Sequence, residues 1–163
     1  MIPYIHETGF IHRDIKTANI LINEKNIIKI IDFGLVVRKC SRPQNRAGSK
    51  SYMAPEVIKQ IPYDEKIDIW SLACVAQELL EGQPPYKEHG VIKGMFRTAA
   101  FGAQYLRDET KTHPLFVDFL QQCFHYDPQN RPSCNELLKH RFFDLQKNSS
   151  FGRPHYSCNP GVF

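Results

Sequence analysis

No two cysteines in these 163 residues form a C-x-x-C pair, and the five present, Cys40, Cys74, Cys123, Cys134 and Cys158, are odd in number and widely scattered. That pattern argues against a zinc framework and against an oxidised, secreted scaffold, and it favours a reducing, intracellular compartment, the cytoplasm. No apolar run is long enough to span a bilayer. The first ten residues, which include Pro3, Glu7 and Gly9, lack the basic-then-apolar order of a secretion signal. Charge of one sign is also scarce: the net value is +4, and only residues 38–50 gather cations (Arg38, Lys39, Arg42, Arg46, Lys50) without intervening acids. No aromatic-basic stacking pattern accompanies them, so neither nucleic acid nor a membrane is an expected partner. The cluster reads first as a solvated, mobile face.

What is present is ordinary globular composition, 42% hydrophobic and 23% charged, suited to one domain. A chain of this size buries roughly two-thirds of its unfolded surface, enough for a core without covalent staples. The domain is expected over residues 1–145. Residues 146–163, with Asn148-Ser149-Ser150, Gly152, Pro154 and Asn159-Pro160-Gly161, have the composition of a disordered tail. Residues 20–22 and 27–31 are Ile-rich runs separated by turn chemistry at Asn23-Glu24-Lys25-Asn26, which predicts a β-hairpin. From Leu35 to Ser51 apolar periodicity disappears, predicting a long exposed loop. Apolar residues around most of the circumference from Asp68 to Leu80 predict a central helix, with Asp68 as N-cap and Gly82 past its end. Leu115, Phe116, Phe119, Leu120 and Cys123 form a helical stripe introduced by Thr112 and Pro114, and Ser133-Cys134-Asn135-Glu136 is a capping box opening a last helix. The fold class expected is mainly α with a small β-hairpin.

The hairpin has chemical consequences because Asn19 precedes its first strand and Asp32 follows its second. With Ile22 facing Ile27, Asn19 would face Ile30 and lie diagonal to Asp32, about 7–8 Å away. Two hard oxygen donors at that spacing can share Mg²⁺, which keeps waters or substrate phosphates in its other positions. Asp14, just upstream, would add a third oxygen.

His12-Arg13-Asp14-Ile15-Lys16-Thr17-Ala18-Asn19, then Asp32-Phe33-Gly34, then Ala54-Pro55-Glu56, resembles the signature set of the protein kinases in order and spacing. Five fixed positions, His12, Arg13, Asp14, Lys16 and Asn19, would coincide by chance about once in three million placements, which removes coincidence as an explanation. The resemblance runs from Met1 to about Phe143 and implies the C-terminal lobe of the kinase fold. It implies ATP and Mg²⁺ as cofactors and Ser/Thr hydroxyls of proteins as acceptors. Asp14 would orient the hydroxyl proton, Lys16 would face the transferring phosphoryl group, and Asn19 and Asp32 would hold the metal. His12, Arg13, Phe33 and Gly34 would be structural, as would a buried Glu56–Arg131 ion pair and Asp68, bonded to the catalytic-loop backbone. Lys16, with Gly48-Ser49-Lys50-Ser51-Tyr52-Met53, resembles the Ser/Thr branch and within it the germinal-centre and sterile-type group, which places Ser49 against Asp14 and Lys16. Arg13 beside a basic loop suggests phosphate-dependent ordering. However, Gln44 and Asn45 stand where that group carries its activating Ser or Thr, leaving Ser41, Ser49 and Ser51 as the available hydroxyls.

The pattern breaks upstream. No Gly-rich loop, strand lysine or helix glutamate precedes His12, the nine glycines form no G-x-G, and the V-I-K triplets at Val57 and Val91 fall beyond the kinase-like motifs. The N-terminal β lobe is therefore expected to be absent from this chain, with a separate small lobe or regulatory proteins as expected partners. Two functions follow: a Ser/Thr kinase present as a fragment, or an inactive stand-alone lobe that binds proteins. Retention of Asp14, Lys16, Asn19 and Asp32 together favours the first.

Overall fold

The structure, a computed structural model, describes residues 1–104 and 106–147. Its helices are α1 (Ile2–Glu7), α2 (Pro55–Ile58), α3 (Lys66–Glu81), α4 (Val91–Phe101), α5 (Pro114–Cys123), α6 (Cys134–Leu137) and α7 (Asp144–Lys147). Strands β1 (Phe10–Ile11) and β4 (Val37–Arg38) pair antiparallel, as do β2 (Ile20–Ile22) and β3 (Ile28–Ile30). The mainly helical class holds, and a second short ladder joins the hairpin.

Helix α3 is the post. Ile69 and Ala73 face a core shared with Ile2, Ile5, Ile15, Phe119, Leu120 and Leu137, whereas Ile67, Trp70 and Cys74 face another with Ile11, Val57, Tyr63 and Met95. Burying each large side chain there contributes about 1.5–3 kcal/mol. The helix stops at Gly82, whose φ of 76° closes it in the left-handed region. Its start differs from expectation: Glu65 is the N-cap and Asp68 lies in the first turn with its carboxylate engaged elsewhere. Helix α5 begins with Pro114 after His113, whose Nδ1 accepts from Leu115 N at 3.2 Å, so His113 rather than Thr112 caps it. The Ser133–Glu136 capping box is present as expected.

The hairpin register is one residue off the expected one. Asn23 Oδ1 accepts from the amides of Lys25 (3.0 Å) and Ile27 (2.9 Å), and Asn26 takes a φ of 57°. The resulting turn draws Ile27 into the connection, so Ile22 pairs with Ile28 and Ile20 with Ile30. Asn19 therefore stands across from Ile31, not Ile30, and its carbonyl accepts from Ile31 N at 3.0 Å.

Residues 35–51 are largely irregular, as expected, apart from β4 and two short 3₁₀ turns at Lys39–Ser41 and Lys50–Tyr52. Cys40, Cys74, Cys123 and Cys134 are free thiols, and burial pushes those of Cys74 and Cys123 up, which keeps them protonated. No helix among the described residues is long and apolar enough to cross a membrane. The tail expected from residue 146 lies outside the described residues beyond Lys147, where α7 ends.

Candidate active site

Asp68 organises the loop that runs from His12 to Asn19. Its fully buried carboxylate accepts from His12 N (Oδ2, 2.9 Å) and Arg13 N (Oδ1, 2.9 Å), and His6 Nε2 lies 2.9 Å from Oδ2. These contacts explain why it does not cap α3: its oxygens are turned toward the catalytic loop. Two adjacent amides held by one carboxylate fix the chain direction there, and Arg13 bends into the left-handed region with a φ of 68°. His12 is wholly buried. Its Nδ1 accepts from Asp14 N at 3.3 Å, and its ring meets Phe33 edge-on with centroids 5.1 Å apart.

Downstream of that bend, Asp14 is presented with both oxygens engaged. Oδ2 accepts from Lys16 Nζ at 2.6 Å and from Asn19 Nδ2 at 3.2 Å, and Oδ1 accepts from Ser49 N at 2.8 Å. Lys16 Nζ also donates to Ser49 Oγ at 3.1 Å, so Asp14, Lys16 and Ser49 form one cluster. Burial pushes the Asp14 carboxyl up, but the hydrogen bonds from Lys16 and Ser49 together outweigh it and hold the group below the usual value. The loop from residue 35 can come this close because position 48 is glycine. A Cβ there would sit 2.2 Å from Arg13 O, and the φ of 98° is one that side chains resist.

Asn19 ends the 3₁₀ turn Thr17–Asn19, where its Nδ2 donates to Asp14 O at 2.9 Å. Asp32 follows β3 in the left-handed region, φ 64°, exposed, with Oδ1 accepting from Gly34 N at 3.3 Å. The ladder thus places Asn19 and Asp32 at the same hairpin end, though not diagonal to one another as expected, because Asn19 stands across from Ile31. Both side chains carry hard oxygens of the type magnesium takes, and Asp32 is open to solvent.

A buried ion pair ties the flanks together. Arg131 and Glu56, 0% and 1% exposed, meet in a fork with NH1–Oε1 at 2.6 Å and NH2–Oε2 at 3.2 Å. Arg131 NH1 donates further to Lys66 O, Nε donates to His125 O, and the guanidinium lies 5.0 Å over the Trp70 ring. Nearby, Tyr52 donates to Glu78 Oε2 at 2.6 Å. Burial first, and that bond second, push its hydroxyl up to about 12. His6, Tyr52, Tyr63 and Glu78 have no short-range sequence signal, because their partners are distant along the chain.

Residues 1–143 match the protein kinase domain family. The chain is 38% identical over 94% of its length to the serine/threonine-protein kinase pakC of Dictyostelium discoideum, and 38% identical over 88% to ste20 of Emericella nidulans. It is 36% identical over 90% to the serine/threonine-protein kinase PAK 1 of Mus musculus. It spans 33%, 17% and 27% of those relatives' own lengths. With a match over nearly all the described residues, and with relatives that are serine/threonine-protein kinases, the chain belongs to the protein kinase domain family.

Proposed function

We propose that the chain supplies the catalytic lobe of a protein Ser/Thr kinase, which moves the γ-phosphoryl group of ATP to Ser or Thr hydroxyls of protein substrates. The observation that carries this reading is the Asp14 carboxylate, kept anionic between Lys16 Nζ and Ser49 N. A substrate hydroxyl placed at Asp14 is oriented by it and gives up its proton there as the new O–P bond forms and the bond between the γ-phosphorus and the ADP oxygen breaks. Lys16, already bridging Asp14 and Ser49, puts a cation beside the charge that develops on the moving group. Asn19 and Asp32 are the residues that would hold Mg²⁺, which when bound neutralises phosphate charge. The exposed apolar side chains Ile22 and Ile28, paired across the hairpin, and Phe33 suit a second, small lobe that covers the nucleotide.

The test is phosphate transfer from Mg·ATP to a generic Ser/Thr protein substrate by the full-length protein, compared with Asp14→Asn. The variant is expected to lose about 10²- to 10⁴-fold in rate while remaining folded. If the folded wild-type protein transfers nothing, or the variant transfers equally, the kinase reading falls and a protein-binding lobe takes its place.

A further inference from the structure

The Arg13 guanidinium, half-buried beneath the loop that follows Asp32-Phe33-Gly34, makes its hydrogen bonds to neutral acceptors. Nε donates to Leu35 O at 2.6 Å, and NH1 donates to Asn45 Oδ1 at 3.2 Å and to Tyr63 Oη at 3.3 Å. Among the described residues it forms no ion pair with a carboxylate. Tyr63, 5% exposed, in turn donates its hydroxyl to Asn45 O at 3.0 Å. Asn45 is therefore gripped twice, by side chain and by backbone, in a closed triangle with Arg13 and Tyr63.

The rest of the segment is anchored in the same manner. Lys39 Nζ meets Glu65 at 2.6 Å, Pro43 O accepts from Tyr63 N at 3.0 Å, Arg46 Nε donates to Ile58 O at 2.7 Å, and Ser49 N donates to Asp14. Position 45 has no hydroxyl to modify, and two of the nearby ones are engaged: Ser41 Oγ donates to Arg38 O at 2.6 Å and Ser49 Oγ accepts from Lys16. Where a phosphate orders such a segment, it does so by giving a buried arginine an acceptor. Here a carboxamide already does.

We propose that Asn45 is a positioning residue: with Tyr63 it holds Arg13, and through Arg13 the backbone that presents Asp14, so that residues 37–52 keep their working arrangement without an added phosphoryl group. The catalytic consequence rests on the kinase reading; the structural one does not.

The experiment uses full-length protein produced with a phosphatase and shown by mass spectrometry to be unphosphorylated. Amide hydrogen exchange over residues 37–52 reports the structural arm. Wild type is expected to be protected, and Asn45→Ala and Tyr63→Phe are expected to exchange about tenfold faster, the effect of losing one hydrogen bond to a charged donor. Asn45→Asp, which keeps an acceptor oxygen for Arg13, is expected to restore protection. Kinetics report the catalytic arm: kcat should fall in Asn45→Ala with KM for ATP unchanged, and recover in Asn45→Asp, a rescue that generic destabilisation would not give. Exchange in Asn45→Ala equal to wild type, or a wild-type segment that becomes protected only after Ser41 or Ser51 is phosphorylated, overturns the proposal. If no variant transfers phosphate, the exchange result still decides it.

Discussion

Arg131 sits fully out of water with its charge met by a single carboxylate, Glu56, so neither residue can be removed without stranding the other. The Coulombic gain of such a pair roughly offsets its desolvation, whereas an unpaired buried charge costs about 3–5 kcal/mol. Glu56→Ala is accordingly expected to lower unfolding stability by that amount, read as a shift in denaturant midpoint at constant slope. A loss below about 1 kcal/mol would mean water reaches Arg131 and the pair is not structural. The same logic applies in reduced form to Asp14. Its lowered pKa means the native state favours the ionised form, so its contribution is present above the unfolded-state pKa and is lost as pH falls through the native one. At neutral pH the hydrogen bonds from Lys16 and Ser49 therefore favour the folded chain with Asp14 ionised.

Between elements, Gly48 lies hard against the backbone of Arg13. An added Cβ would collide with Arg13 O at 2.2 Å on a backbone already at φ 98°, and backbone does not yield as a side-chain tip does. Gly48→Ala is expected to cost about 1–3 kcal/mol and, by lifting Ser49 from Asp14, to reduce phosphate transfer more than it reduces stability. Parallel denaturation and rate measurements check this, and a variant with unchanged rate would show that the Ser49 contact is dispensable. Elements defined by neighbouring residues were readable in the sequence: the Ser133–Glu136 box needs only a three-residue interval, and the motif from His12 to Asn19 is contiguous. Asp68 as an N-cap was misread because its acceptors are claimed by amides 55 and 56 residues away. The hairpin register slipped because one side chain, Asn23, bonds two amides and lengthens the turn. Helix α4 escaped notice because Gly94 interrupts its apolar pattern; the glycine is there to let Tyr86 approach, whose Cβ would lie 2.9 Å from an added one. The β1–β4 ladder, two residues a side, has no period to detect.

At the scale of the molecule, the hairpin and the residues after it leave apolar side chains open to solvent among the described residues. Ile22 is 65% exposed and Phe33 50%, with Leu21 and Ile28 beside them on the hairpin that offers Asn19 and Asp32. On the proposed kinase reading, these residues would give a nucleotide metal ligands and part of one wall. Residues 1–163 alone are therefore expected to bind Mg·ATP more weakly than micromolar by calorimetry, and a submicromolar Kd would mean the lobe encloses its ligand unaided. Asp68 carries a different consequence, one of timing. The amides it holds belong to His12 and Arg13, 56 and 55 residues earlier. A chain leaving the ribosome N-terminus first exposes Asp14 well before Asp68 has been translated, and closing so long a loop adds entropy cost on top of the delay. During that interval the nascent catalytic loop has its residues but not its shape, so assembly of the central helix is the step at which the site comes into being.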